Sequence, residues 1–360
     1  MARFREGTIV SIERTDDSVV RARVDLGSST LDAIAYPGMI GPLREGHRVI
    51  VNTTGVELGL GTGGTGFILW NVDAEAASED HVGHIMKLRY TPWQMNVMSA
   101  ESPESPHHEQ LSGMIDLAGC PVISCGLHSQ VPAAAAGIKA AAPDALVGYL
   151  MTDGGALPMA FSMLVRQMRG AGLIDATCTV GHAFGGDLEA VNVFSGLAAL
   201  KTVSSCDAIV VSMGPGIVGT GTSLGHTGME QGQVLDAATA LNGSAIAALR
   251  ISFADDRPRH RGLSHHTVSA LTVAARERCT VAVPKLRPEG SAALERSLKA
   301  SGVCDRHDQR IADGRPGVRL LLDRGLNPSS MGRKMSEEPE LWLAGAAAGV
   351  VATEHLQSRG

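Results

Sequence analysis

Aromatic side chains are scarce: Phe, Trp and Tyr together make up 3% of the 360 residues. Sugar platforms and single-strand binding sheets need such rings for stacking, which argues against both. Positive charge is not concentrated anywhere. The formal charge is −6 and no Lys/Arg-rich run occurs, so a nucleic-acid backbone would on average be repelled. Long hydrophobic runs are missing as well. The opening Met1-Ala2-Arg3-Phe4-Arg5-Glu6 lacks the apolar stretch of a secretory signal. The uncharged run from Leu341 to Thr353 is too short to span a bilayer. The expectation is a cytoplasmic chain with neither nucleic acid nor a membrane as its partner. None of the six cysteines forms a C-x-x-C pair. They read as reduced, buried small hydrophobes.

What is present fits a two-part chain. Apolar residues are 44% of the sequence and glycines number 43, so close backbone packing and tight turns can stand in for large rings. Residues 1–75 read as a small β-barrel or sandwich. Strands are expected at Gly7–Glu13, Ser18–Leu26, Thr30–Tyr36, His47–Asn52 and Thr65–Trp70, separated by turn residues. The segment Gly41-Pro42-Leu43-Arg44-Glu45-Gly46-His47 resembles the turn-then-strand of lipoyl and biotinyl carrier barrels. A carrier needs an exposed lysine, and the first lysine in the chain is Lys87, which argues against a lipoyl or biotin attachment here. Residues 76–115 read as a β linker region and loop, with the charged stretch Asp73–Asp80 leading into it, strands at His84–Tyr90 and Gln94–Ala100, and a polar loop at Glu101–Pro106.

From 116 to 290 the pattern alternates β and α. Apolar strands are expected at Pro121–Gly126, Ala145–Thr152, Ala176–Gly181, Ala208–Met213, Ala245–Phe253 and Thr280–Val283. Helices are expected between them, at Pro132–Ala141, Leu157–Arg169, Leu188–Lys201, Glu230–Leu241 and Thr267–Arg278. Such a pattern predicts a doubly wound, mostly parallel, Rossmann-like sheet covered on both faces. Residues 291–360 add helices, Ser291–Lys299 and Leu341–Leu356, with Asp305–Pro316 as an exposed loop and Pro328–Glu338 as a flexible one. Ligands of open α/β sheets bind beyond the carboxyl ends of the strands. Histidine, acid, arginine and glycine concentrate in those loops: His128, Asp153, His182–Asp187, Gly214–Thr222, His226, and Asp255–His266. His81, His84 and His307 read as surface residues.

Several of these stretches resemble one bacterial family of domains of unknown function, number thirty-eight sixty-six. The resembling blocks are NTTGVELGLGTGG (52–64), GHIMKLRYTP (83–92), SPHHE (105–109), MTDGGALP (151–158), GHAFGGDLEAVN (181–192), MGPGIVGTGT (213–222) and SFADDRPRHRGLSHHT (252–267). The resemblance brings no activity with it.

The chemistry must therefore come from the residues. Gly214-Pro215-Gly216-Ile217-Val218-Gly219 has the G-x-G-x-x-G spacing, but no helix follows at once and the next strand-end acid, Asp255, is too distant. That argues against NAD. Gly214, Gly216, Gly219, Thr220, Gly221 and Thr222, with Arg257 and Arg259, are instead candidate anion holders. Gly221-Thr222-Ser223-Leu224-Gly225 fits G-x-S-x-G, but Ser223 is not on a strand-to-helix elbow. His182, Asp187, Asp255, His265 and His266 are the candidate catalytic residues. His128, His182 and His265 are candidate metal ligands, because imidazoles suit a divalent transition metal. The leading expectation is an enzyme acting on a small anionic or phosphorylated substrate through acid–base or metal chemistry. The alternative is a non-catalytic sensor that binds a small molecule at the same edge. At least two of the histidines and one acid should line a single pocket walled by Gly214–Thr222.

Overall fold

The computed structural model describes residues 2–14, 16–61, 63–74 and 83–357. The charged linker stretch lies, from residue 75 to 80, outside the described residues, as does His81. The chain divides into two compact units, Met1–Val82 with Leu88–Met95, and Gly83–Lys87 with Asn96–Gly360.

The first unit is a closed barrel of strands β1 (Phe4–Arg14), β2 (Val20–Asp25), β3 (Thr30–Ala35), β4 (Arg48–Asn52) and β5 (Gly66–Asn71), in the order β1-β2-β3-β5-β4. Alternating residues (Val20, Ala22 and Val24 in; Arg21, Arg23 and Asp25 out) give β2 one apolar face. Strand β1 is long enough to pair twice. Its first half runs against β4 and its second half against β2, and a bulge between Ile9 and Ser11 supplies the bend. Strands β3 and β5 are parallel. This is the connectivity of an OB-fold barrel; a fold shared by unrelated functions assigns none.

The second unit holds a parallel sheet of eight strands: β6 (Pro121–Cys125), β7 (Val147–Thr152), β8 (Ala176–Thr179), β9 (Leu188–Glu189), β10 (Ala208–Met213), β11 (Ser244–Ala248), β12 (Thr280–Pro284) and β13 (Asp308–Ala312). Their order is β9-β8-β7-β10-β6-β11-β12-β13. The usual Rossmann order places the fourth strand outside the first, whereas here β10 is inserted between β7 and β6. Helices α1 (Val131–Ala141), α2 (Met163–Gly170), α7 (Arg315–Asp323) and α8 (Pro339–Gln357) cover one face, burying Val131, Ile138, Met168, Leu321 and Trp342 against Tyr149 and Val210. Helices α3 (Val193–Thr202), α4 (Glu230–Ala240), α5 (His265–Ser269) and α6 (Pro288–Ala300) cover the other, where Leu197, Leu235, Leu294 and Leu298 meet Val122 and Val211.

Glycines set how closely α1, α7 and α8 approach. A Cβ on Gly137 would fall on Ala346 O, and one on Gly349 would fall on Ala134 O. Ala and Gly therefore do on this face what interlocking rings would do elsewhere.

Several expectations need correction. The stretch Asp305–Pro316 is not a loop: Asp308–Ala312 is the edge strand β13, whose polar residues face solvent on an uncovered flank. Leu188–Glu189 is a short strand beside β8, and the helix starts at Val193 because Asn192 and Ser195 form a capping box. The Ala245–Phe253 strand stops at Ala248. The helix expected at 267–278 starts at His265 and passes into a π-helical turn, Ala270–Ala274. Pro328–Glu338 carries a small hairpin, Ser329–Ser330 with Arg333–Lys334. His307 is buried, not exposed, and its Nε2 donates to Leu271 O at 2.7 Å.

Candidate functional site

Two side-chain amides decide where β11 ends. Gln231 Nε2 donates to Ser124 O and Ala248 O, both at 2.8 Å, and Gln130 Nε2 donates to Leu249 O at 2.8 Å. The carbonyls that would continue the ladder are thus taken, and the chain leaves the sheet at Arg250. Ile251–Ser252 then pairs antiparallel with Gly262–Leu263, so residues 253–261 form the tip of a hairpin. Ser264 caps α5 by accepting from His266 N. This places His260, His265 and His266 together at the carboxyl edge of the sheet. A second hairpin, from the loop after β10, closes by the bridge between Gly219 and His226 and brings in the fourth ring.

The four imidazoles touch. His226 stacks on His266 with centroids 3.8 Å apart and planes 9° apart. His265 lies 5.5 Å from His226 and 4.4 Å from His266. His260 lies 4.9 Å from His265 and 4.8 Å from His266. Gly219 borders the pair: a Cβ there would be 3.2 Å from His226 Cβ and 3.3 Å from His266 Nε2. Arg250 forms the floor, 5% exposed, with Nη1 3.1 Å from His266 Nδ1. A guanidinium only donates, so His266 Nδ1 accepts and its hydrogen resides on Nε2.

Burial comes first among the causes that keep these rings neutral. It acts with Arg250 and Arg257 to push His260 down to about 3. With His226 and Arg250 it pushes His266 down to about 2. His226 and His265 are lowered too, mainly by burial. Arg250 itself is pulled down to about 10 by burial and by Arg257, and remains charged at neutral pH.

The expected site residues divide between those that join this cluster and those that do not. His265 and His266 join it. Asp255 is buried nearby but engaged: Arg257 grips it at 2.9 and 2.7 Å and Arg333 reaches it at 3.2 Å, and the Arg257 hydrogen bonds hold its carboxyl far below the usual range. Arg257 therefore spends its guanidinium on Asp255. Arg259 lies over the Gly221 turn, 3.9 Å from where a Cβ would be.

The glycine loop divides in two. Gly214 is pressed against Ala156, and Ala156 N donates to Pro215 O at 2.8 Å, so that half packs on the loop after β7. Gly216, at φ +105°, turns the chain between the halves. The half from Gly219 to Thr222 adjoins the histidines. Gly221 there adopts φ +83°, and the Thr220 and Thr222 hydroxyls lie 3.0 Å apart.

His128, His182 and Asp187 stand apart from the cluster. His128 is in the core, 3.0 Å from Tyr149 Oη and 2.7 Å from Ser162 Oγ, and burial pushes it down to about 4. The backbone N–H of His182 donates to Asp153 at the end of β7. Asp187 doubles back along β8, accepting from Thr177 N and Oγ1 and pairing with Arg169. The set His128, His182 and His265 does not converge. Among the described residues the trio that does is His226, His265 and His266, with ligand-capable atoms within 4.8 Å of one another.

A family profile described as "Protein of unknown function (DUF3866)" matches residues 32–349. The chain belongs to this DUF3866 family. No curated protein matches it. The DUF3866 match spans the whole histidine cluster and Arg250. Sequence reasoning had put His226 and His260 on this edge without a role, and it missed Arg250 by assigning it to a strand. A lone arginine inside the apolar run Ala245–Phe253 was the available signal.

Glu230, the first residue of α4, was also missed. Its carboxyl lies against Gly154, just beyond the end of β7. Burial, aided by Asp153, pushes it up to about 7. A separate cavity of about 1450 Å³, lined by residues such as Phe253, Leu294, Ile311 and Leu343, contains none of the histidines.

Proposed function

We propose that the chain is an enzyme acting on a small anionic substrate, a phosphate ester or a carboxylate, at the histidine cluster. One observation carries the reading. Arg250 is buried, and among the described residues its guanidinium hydrogen-bonds to His266 Nδ1 and the sulfur of Met331 and to no carboxylate. Nearby carboxylates are committed elsewhere, Asp255 to Arg257 and Arg333, and Glu338 to Arg333. Asp255 and Glu338 attract Arg250 only through space; a buried charge whose guanidinium bonds no carboxylate is costly, and a bound anion would supply that partner. Arg259 and the exposed Gly219–Thr222 turn lie at the mouth of the same cluster. Neutral imidazoles around the anion can accept or hand over protons, and His266 Nε2–H can donate to it.

The six free cysteines, five of them buried, support a reducing compartment such as the cytoplasm. Among the described residues no helix is long and apolar enough to cross a membrane.

Calorimetric titration of the full chain with inorganic phosphate tests the reading. Binding should be measurable and should weaken at least about tenfold in Arg250→Met, the size expected when a charge-assisted hydrogen bond is lost. Equal affinity in both proteins would refute the site. Binding without turnover of any phosphate ester or carboxylate tried would favour a sensor over an enzyme.

A further inference from the structure

We propose that His226, His265 and His266 hold a divalent transition-metal ion, and that metal and anion share the site and strengthen one another. One nitrogen of each ring lies within 4.8 Å of those of the other two, and two of the rings present a buried nitrogen that has no hydrogen-bond partner among the described residues. His226 Nε2 is 3.2 Å from Ser223 O. A carbonyl only accepts, so the hydrogen is on Nε2 and Nδ1 keeps its lone pair. That Nδ1 is buried and has no hydrogen-bond partner among the described residues, and the same is true of His265 Nε2. A backbone carbonyl on the far nitrogen is how metal-bound imidazoles are commonly oriented.

The ring spacing tests the fit. With a metal–nitrogen bond of about 2.1 Å, each ring centroid would be about 3.2 Å from the ion, and adjacent ligands at about 90–110° would have centroids about 4.5–5.2 Å apart. His226–His265 at 5.5 Å and His265–His266 at 4.4 Å fall close to that range. His226–His266, stacked at 3.8 Å, is too tight, so His266 is the ring that must swing. Its Nδ1 now accepts from Arg250. To bind metal through Nε2, His266 must move its hydrogen to Nδ1, which then confronts the guanidinium. Metal binding therefore releases Arg250 toward an anion on the ion's open positions. By linkage, anion and metal must raise each other's affinity by the same factor. Three neutral imidazoles without carboxylate or thiolate suit Zn²⁺ or Co²⁺ and not Mg²⁺ or Ca²⁺.

Metal binding stands without the proposed function; only the coupling rests on it. The test uses the full chain, stripped with chelator and titrated with Co²⁺, with and without inorganic phosphate. A visible ligand-field band from nitrogen coordination should appear at one equivalent, and phosphate should tighten it. His226→Gln and His265→Gln should each weaken Co²⁺ binding by about a hundredfold or more, since even outer-shell losses reach that range. His84→Gln, at an exposed surface histidine, should not. No band in the wild-type chain, or equal Co²⁺ affinity in the wild type and a His226→Gln variant with native circular dichroism, overturns the proposal. Phosphate binding to the metal-free chain that depends on Arg250, without Co²⁺ binding, sinks the metal site alone. Co²⁺ binding that phosphate leaves unchanged, with no phosphate bound, sinks the anion reading and the coupling but not the metal.

Discussion

Replacing Glu230 with Gln should stabilise the α/β unit, and only above acidic pH. The carboxyl lies against Gly154, where an added Cβ would be 2.6 Å from its Oε2. The Thr152 hydroxyl beside it favours the ionised form, but burial and the neighbouring Asp153 outweigh it. Burial raises the group from its ordinary 4.5 to about 7, which corresponds to about 3 kcal/mol against the ionised form. The position at the start of α4 favours a negative charge, by about 2 kcal/mol at most, so burial prevails. The sign follows from the raised value. Below about pH 4.5 both the folded and the unfolded group are protonated, and the residue contributes nothing. Between about 4.5 and 7 the unfolded chain gives up its proton while the folded one keeps it, so stability falls as pH rises. Above that window the full penalty remains. Glu230→Gln should match the wild type near pH 4 and exceed it by about 3 kcal/mol near pH 8. Nearly all described helix belongs to the α/β unit, so urea unfolding followed by far-ultraviolet circular dichroism reads the right transition. A gap between the two proteins that does not change with pH would refute the reasoning, as would a Glu230 carboxyl that titrates near 4.5.

Three further outcomes are expected. Gly349→Ala drives a methyl onto Ala134 O at the α1–α8 contact and should cost about 1–3 kcal/mol in the same urea assay. Lys87→Met strands the carboxylate of Glu189, now 3.3 Å from Lys87 Nζ and largely buried; it should cost about 3–5 kcal/mol, most of it recovered in the double variant with Glu189→Gln. His182→Ala should leave phosphate affinity in titration within about twofold, because substitutions away from a site rarely matter; a large loss would return His182 to the site.

How much of this could be read beforehand follows from what each element buries. Strands such as Ala208–Met213 are buried along their whole length, so an unbroken apolar run announced them. Strand β13 is buried only at Ala312; its Asp-Gln-Arg sequence looks like a loop because an edge strand need satisfy only one neighbour. Helix α7 hid behind Gly314-Arg315-Pro316, turn-like letters that here open a helix with Pro in its first turn. At the site, topology did the locating: loops that follow parallel strands share an edge, which was enough to nominate His265 and His266. It could not say which side chains turn inward, so His128 was counted as a ligand although it bonds Tyr149 and Ser162 in the core. Nor could it foresee that Gln130 and Gln231 cut β11 short and turn Arg250 from a strand residue into the floor of the cluster.

The glycine-lined contact of α8 with α1 also bears on how the chain comes off the ribosome. Helix α8 begins at Pro339, about 200 residues after α1 ends at Ala141, and domains form as units while synthesis proceeds from the N-terminus. Until α8 has emerged, Ala133, Ala134 and Ile138 of α1 and the sheet residue Tyr149 lack part of their apolar cover. That apolar patch must wait for its last piece, at synthesis rates of about 5–20 residues per second, for ten seconds or more. During that interval it is a surface for chaperones, and a nascent chain halted before residue 339 should be held by them or precipitate.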